Sequence, residues 1–368
     1  MYYIIFFLII VSILFEFYSR RKNKMVFNFV YILMTIMVVF RYGQGTDYFG
    51  YMYHYYNVDL SSIVYHKDIG YSLLIFFSNE LGVSFELFSA FFGLLTMALF
   101  YPFFKKICGG SMLPMLIFYA YVLLIFPMSG IRQGFTLALL LGILYPLLVE
   151  KKYLYFYVFL ILGSFIHLSL IICAIFPILL NFKINKRLYV IVFIVMSVIN
   201  FLNLNLYIYI PFELPGNRGI DLASAEDAVY FSGKLLRFVI IFILLIIPEK
   251  YYSHNSIKIR NIVFTGYIVY SLLSFVGTVA GRIEIYFRVF EMLLLFLLLY
   301  ENKIKNIIIY QYVFVLFYSI LFFKNINSQI VQGEYINTSI LSYPYVTIFN
   351  PDKIEIYRKD NSVYLFRD

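Results

Sequence analysis

The sequence predicts an all-α, polytopic integral membrane protein with about twelve transmembrane helices, two of them short or partly re-entrant. Three observations carry that reading. Of 368 residues 62% are apolar and only 13% are charged, a composition that no water-facing surface accommodates. The apolar residues gather in runs of roughly twenty, the length that crosses a hydrocarbon core. Between the runs, Lys and Arg recur at every second junction, as they do where loops face the cytoplasm. A single-pass anchor and a β-barrel with alternating strands are excluded. The two cysteines, Cys108 and Cys173, are too few for a disulfide framework or a thiolate site, and the four histidines lack zinc spacing. No metal or other cofactor is therefore expected. A net charge of +9 would point to nucleic acid in a soluble chain, but here it is the basic bias of inner loops, and no nucleic-acid partner is expected.

In order, the first run, Tyr2 to Ser19, has no small-residue cleavage site and ends in Arg20, Arg21, Lys22 and Lys24, so it is expected to be a retained span with its N-terminus outside. The second, Met25 to Phe40, returns to the outer face at Arg41. A polar, Tyr-rich outer loop follows over 41–68, and then the apolar stretch Ile69 to Leu81, expected to lie at the interface. Span three, Ser84 to Phe104, closes on Lys105 and Lys106 inside; span four, Met112 to Met128, delivers Arg132 and Gln133 to the outer face; span five, Gly134 to Val149, ends at Lys151 and Lys152. The run from Tyr153 to Leu180 is basic at both flanks, so it must cross an even number of times, which two short or partly re-entrant helices meeting near His167 satisfy. Span eight, Leu188 to Ile210, leads to a second outer loop, 211–233, and spans nine to twelve follow at Leu235 to Ile247, Ile262 to Ala280, Ile283 to Tyr300 and Ile307 to Phe323. The chain thus reads as one multi-span domain, 1–323, with an outer-face tail, 324–368.

Charge counting checks this topology. The inside holds 16 Lys or Arg and four acids, or +12, which leaves 13 bases and 16 acids, or −3, outside. The types differ as well: four of the 16 inner bases are arginine, against six of the eight outer bases that precede the tail, namely Arg41, Arg132, Arg218, Arg237, Arg282 and Arg288. Cations at the outer ends of spans oppose the topological rule, so something must hold them there. A phosphorylated ligand explains the place and the choice of Arg, whose planar fork matches phosphate oxygens. The plainer account pairs each arginine with an acid such as Glu226, Glu284 or Glu291 as structural glue. Glu284, Arg288 and Glu291 share one face of a helix.

His167, in GSFIHLSLI, is either an interhelical hydrogen-bonder or a proton acceptor, because imidazole titrates nearest neutral pH. Asp47 and Tyr48 lie in GQGTDYF, where Gly43 and Gly45 permit turns beside a ligand; Asp47 is a second candidate base or a turn residue. Glu16, four residues before Arg20, reads as a snorkelling partner without a functional role.

Taken in order, Arg41 with GTDY shortly after it, IRQG at Arg132, FIH at His167, GRIEIYFR, and YPY at Tyr343 to Tyr345 resemble the EpsG/Wzy-type bacterial polysaccharide polymerases, which make O-antigen, capsule and exopolysaccharide. The resemblance covers most of the chain. It implies a GT-C-like, metal-independent membrane glycosyltransferase in the bacterial cytoplasmic (inner) membrane with its active site facing the periplasm or exterior. The expected donor and acceptor are undecaprenyl-pyrophosphate-linked glycans, and the expected partners are membrane lipid and a chain-length regulator protein. On this footing His167 or Asp47 serves the acceptor hydroxyl, Arg132, Arg282, Arg288, Arg41 and Arg237 serve the pyrophosphate, and Glu284, Glu291, Gln133 and Tyr48 are further candidates. A lipid-linked oligosaccharide flippase would show repeat symmetry, and a sugar O-acyltransferase an inner path for its acyl donor; neither pattern is evident.

Overall fold

Helix starts follow the side chains able to cap them. In the computed structural model, which describes residues 1–19, 21–63, 68–182, 185–204, 231–301 and 307–358, Asn23 accepts from the N–H groups of Met25 (3.0 Å) and Val26 (3.2 Å) at the start of a helix. Ser84, Asn185 and Ser253 do the same for three others. In chain order the longer helices are α1 (Tyr2–Ser19), α2 (Lys24–Val39), α3 (Tyr48–Asn57), α4 (Ile69–Glu80), α5 (Phe85–Ile107), α6 (Met112–Leu123), α7 (Ile131–Val149), α8 (Tyr153–Ile166), α9 (Leu168–Asn181), α10 (Lys186–Phe201), α11 (Phe231–Ile246), α12 (His254–Leu273), α13 (Gly277–Arg288), α14 (Phe290–Phe296) and α15 (Ile307–Gln332). Among the described residues there is no strand, only the isolated bridges Arg41 with Thr347 and Tyr335 with Arg358. By length and composition α1, α5, α7 and residues Ile309–Gln332 of α15 are able to cross a membrane, and α2, α6, α8 and α9 are shorter apolar helices. Side chains such as Leu154, Val158, Ile161, Leu162 and Phe165 on α8 are exposed, which suits lipid and not water. The second outer loop expected over 211–233, with Arg218 and Glu226, lies outside the described residues except for its last three.

Contacts divide the chain into two compact units, 1–171 with 305–368, and 172–304, where the sequence shows no boundary. In the first, α7 packs on α5, α5 on α2, and α6 on α1. At the α5–α7 crossing a Cβ on Gly142 would lie well inside the Leu99 carbonyl, so the helices approach as small residues allow. Gly142→Ala is expected to destabilise by about 1–3 kcal/mol through overpacking, read as a lower melting midpoint in detergent.

One expectation is corrected in this unit. Glu16 is buried and does not snorkel: its carboxylate accepts from the Met112 N–H and the Ser111 hydroxyl, each at 3.2 Å, and so caps the start of α6. The helix that holds the run Ile307 to Phe323 continues to Gln332, and within that extension Asn325 donates to the Ala120 carbonyl (2.7 Å) at a π-helical turn of α6. Beyond it the chain folds back over residues 40–45. Tyr42 N–H donates to Val346 (3.0 Å), Ile348 N–H to Phe40 (3.1 Å), and the Arg358 guanidinium to the carbonyls of Gly43 (3.1 Å) and Gly45 (3.3 Å).

In the second unit α12 packs against α10, α13 and the end of α9. Asn261 donates to the carbonyls of Leu179 (2.9 Å) and Phe182 (2.7 Å) and accepts from the Tyr189 hydroxyl, which satisfies the otherwise orphaned end of α9.

Candidate active site

The break required between 153 and 180 falls at His167. α8 ends at Ile166, His167 is extended (φ −154°, ψ 112°), and a 3₁₀ segment begins at Leu168. The cause is a carboxylate. Asp68, at the start of α4, accepts the Leu168 N–H at Oδ1 (2.9 Å), so that donor no longer serves the helix. The other oxygen, Oδ2, meets His167 Nδ1 at 3.2 Å and Arg132 Nη1 at 2.7 Å. Asp68 occupies the position before α4 where an aspartate ordinarily caps, yet its side chain makes no capping bond. It is spent on this cluster instead.

Burial pushes the Asp68 carboxyl up, but the hydrogen bonds from His167 and Leu168, together with the Arg132 charge, outweigh that and hold it below its ordinary value. An ionised Asp68 is an acceptor only, so a neutral His167 imidazole carries its proton on Nδ1 and its lone pair on Nε2. The Ser169 hydroxyl lies 2.7 Å from that nitrogen.

Arg132 opens α7 and is fixed on three sides. Its Nε donates to the Tyr51 hydroxyl (3.3 Å), its guanidinium lies 5.2 Å and 5.4 Å from the ring centres of Tyr51 and Tyr71, and Asp68 holds Nη1. Nη2 has no partner among the described residues, and the side chain keeps 31% exposure, so one edge of the fork stays available. The GQGTDY segment supports this arrangement from behind. Gly45 has φ +89°, and a Cβ there would sit 2.6 Å from the Met128 carbonyl, so only glycine lets the loop lie against the turn leading into α7. Thr46 Oγ1 and the Asp47 N–H both reach Ser129 Oγ, at 2.9 Å and 3.2 Å.

The remaining candidates are placed as follows. Asp47 precedes α3, and its carboxylate accepts from Thr46 Oγ1 (3.2 Å); the acid that meets His167 is Asp68. Tyr48 and Gln133 are buried. Arg41 is buried, donating to the Val38 carbonyl at the end of α2 and to Ser89 Oγ (3.1 Å) on α5, the position of a C-terminal helix cap. Arg237, Arg282, Glu284, Arg288 and Glu291 belong to the second unit. There Arg237 is ion-paired to both Glu284 and Glu291, Arg288 Nε lies 3.6 Å from Glu291, and Arg282 is exposed. Two acids thus neutralise two arginines in a buried cluster. Glu291→Gln is expected to cost about 3–5 kcal/mol, the scale of an orphaned buried charge, seen as a loss of folded protein on heating in detergent. The sequence reading passed over Asp68, whose one visible signal is its place at the end of a loop before an apolar helix.

The model of one protein family, EpsG, matches residues 24–345, from the start of α2 through the YPY segment. The chain belongs to the EpsG family. Asp68, Arg132 and His167 all fall inside the matched range. No curated protein and no solved structure matches this EpsG chain.

Proposed function

We propose that this EpsG-family protein is a membrane glycosyltransferase that joins oligosaccharide repeat units, carried on undecaprenyl pyrophosphate, into a surface polysaccharide at the outer face of the bacterial cytoplasmic membrane. The observation that carries the reading is the Asp68-locked imidazole of His167 in the same cluster as the open edge of Arg132. Glycosyl transfer from a pyrophosphate needs those two things. His167 Nε2 takes the proton of the acceptor hydroxyl as its oxygen attacks the donor sugar C1, and Arg132 stabilises the charge that builds on pyrophosphate as the C1–O bond breaks. Asp68 orients the imidazole and stabilises the imidazolium that forms. The guanidinium supplies the countercharge that a metal would otherwise provide, so the reaction is metal-independent in this reading. The +12 against −3 charge division supports an outer-face location.

Deletion of the gene, followed by gel analysis of surface glycan, tests the proposal. A polymerase mutant leaves single repeat units, and wild-type protein restores the ladder whereas His167→Ala does not. Total loss of surface glycan would point to a flippase. A full-length ladder in the deletion strain would reject both. The orientation is tested by single cysteines probed in intact cells with an impermeant thiol reagent: position 282 should label and position 258 should not.

A further inference from the structure

We infer that the Ser169 hydroxyl is a displaceable shield on His167 Nε2, which slows hydrolysis of a bound donor until an acceptor sugar takes its place. The inference rests on the transferase reading above and deepens it. Ser169 follows His167 by two residues at the start of the 3₁₀ segment, and its Oγ lies 2.7 Å from Nε2. In the neutral imidazole Nδ1–H is committed to Asp68, so Nε2 accepts in this contact and Ser169 donates. The one lone pair able to activate an attacking hydroxyl is therefore covered by Ser169 Oγ.

Whatever attacks must take the place of Ser169 Oγ. An acceptor glycan brings binding energy from the rest of its sugar units, which offsets the displacement, whereas a water molecule brings none. Uncovering Nε2 should let water compete: its oxygen bonds to the donor C1, the C1–O bond to pyrophosphate breaks, and the water proton passes to Nε2. The products are a free reducing oligosaccharide and the lipid pyrophosphate. Ser169 forms no bond to carbon in either course. Its role is to keep water from the base, and the geometry supports this because the hydroxyl sits on the ring nitrogen that takes the proton, not on the Asp68 side that orients the ring.

The test uses full-length protein in native membranes with labelled repeat units on undecaprenyl pyrophosphate, extracted from the deletion strain, and measures polymer and free reducing oligosaccharide together. Ser169→Ala is expected to raise the rate of donor hydrolysis about fivefold, the scale of one neutral hydrogen bond, and Ser169→Thr, which keeps the hydroxyl, to restore the wild-type rate. Should the alanine variant fail to fold, Ser169→Val against Ser169→Thr reads the same hydrolysis rate between near-isosteric side chains. An unchanged hydrolysis rate with transfer intact overturns the shield. So does loss of both reactions in a folded variant, or a glycosyl adduct on Ser169, either of which would make the hydroxyl part of the chemistry. The two levels separate cleanly: wild-type membranes that form no polymer sink the transferase reading, whereas active wild type with an indifferent Ser169 sinks only the shield.

Discussion

Replacing Asp68 with asparagine is expected to reduce polymerisation by about a hundredfold or more while the protein remains inserted and folded. The carboxylate receives three donors: Leu168 N–H at one oxygen, and Arg132 Nη1 and His167 Nδ1–H at the other. An amide has one acceptor oxygen. If that oxygen faces Leu168, the NH₂ faces Arg132 and donates to Nδ1, which moves the imidazole proton to Nε2 and removes the base. If it faces Arg132 and His167, the NH₂ opposes the Leu168 N–H and the break after α8 loses its acceptor. Either way the cost falls on the proton-transfer step, so kcat should fall more than the KM for the lipid-linked donor changes. Polymer ladders and initial rates at equal membrane levels of protein would check this, and activity within about threefold of wild type would remove Asp68 from the mechanism. A pH signature accompanies it. Because its folded-state pKa is depressed, Asp68 stabilises the protein above the ordinary carboxylate range, and that stability is lost as pH falls through the lowered value. The acid-side decline in melting temperature should therefore be shallower in Asp68→Asn than in wild type.

The second large effect is expected from Arg132→Lys, with a loss on the order of a hundredfold although the charge is kept. Lysine can place one ammonium near Asp68 or near a phosphate, but it cannot hold Asp68, the Tyr51 hydroxyl and a ligand through three edges of a planar fork. Because Arg132 also fixes Asp68, the double variant Asp68→Asn, Arg132→Lys should lose less than the product of the two single losses. Independent losses would mean that the two residues do not act as one cluster.

What could be read from the sequence follows the range of the forces involved. The membrane class rests on composition, and the division of charge rests on the cost of moving basic loops outward; both are sums along the chain that need no tertiary information. The break at His167 was legible because a 28-residue run with basic flanks must double back, and Arg132 because a cation at an apolar helix start is out of place. The choice among partners was not legible. Asp68 lies 99 residues from His167 and 64 from Arg132, and nothing local distinguishes it from an ordinary helix-capping aspartate. Glu284 and Glu291 share a helix face in the sequence, but only packing against α11 brings Arg237 between them and neutralises the cluster. Glu16 looked like a partner for a neighbouring arginine, and the approach of α6 made it a helix cap. Charge type and helix period are local properties of the chain, whereas the carboxylate that meets a given cation depends on which helices pack together, and that is settled by side-chain fit over the whole fold.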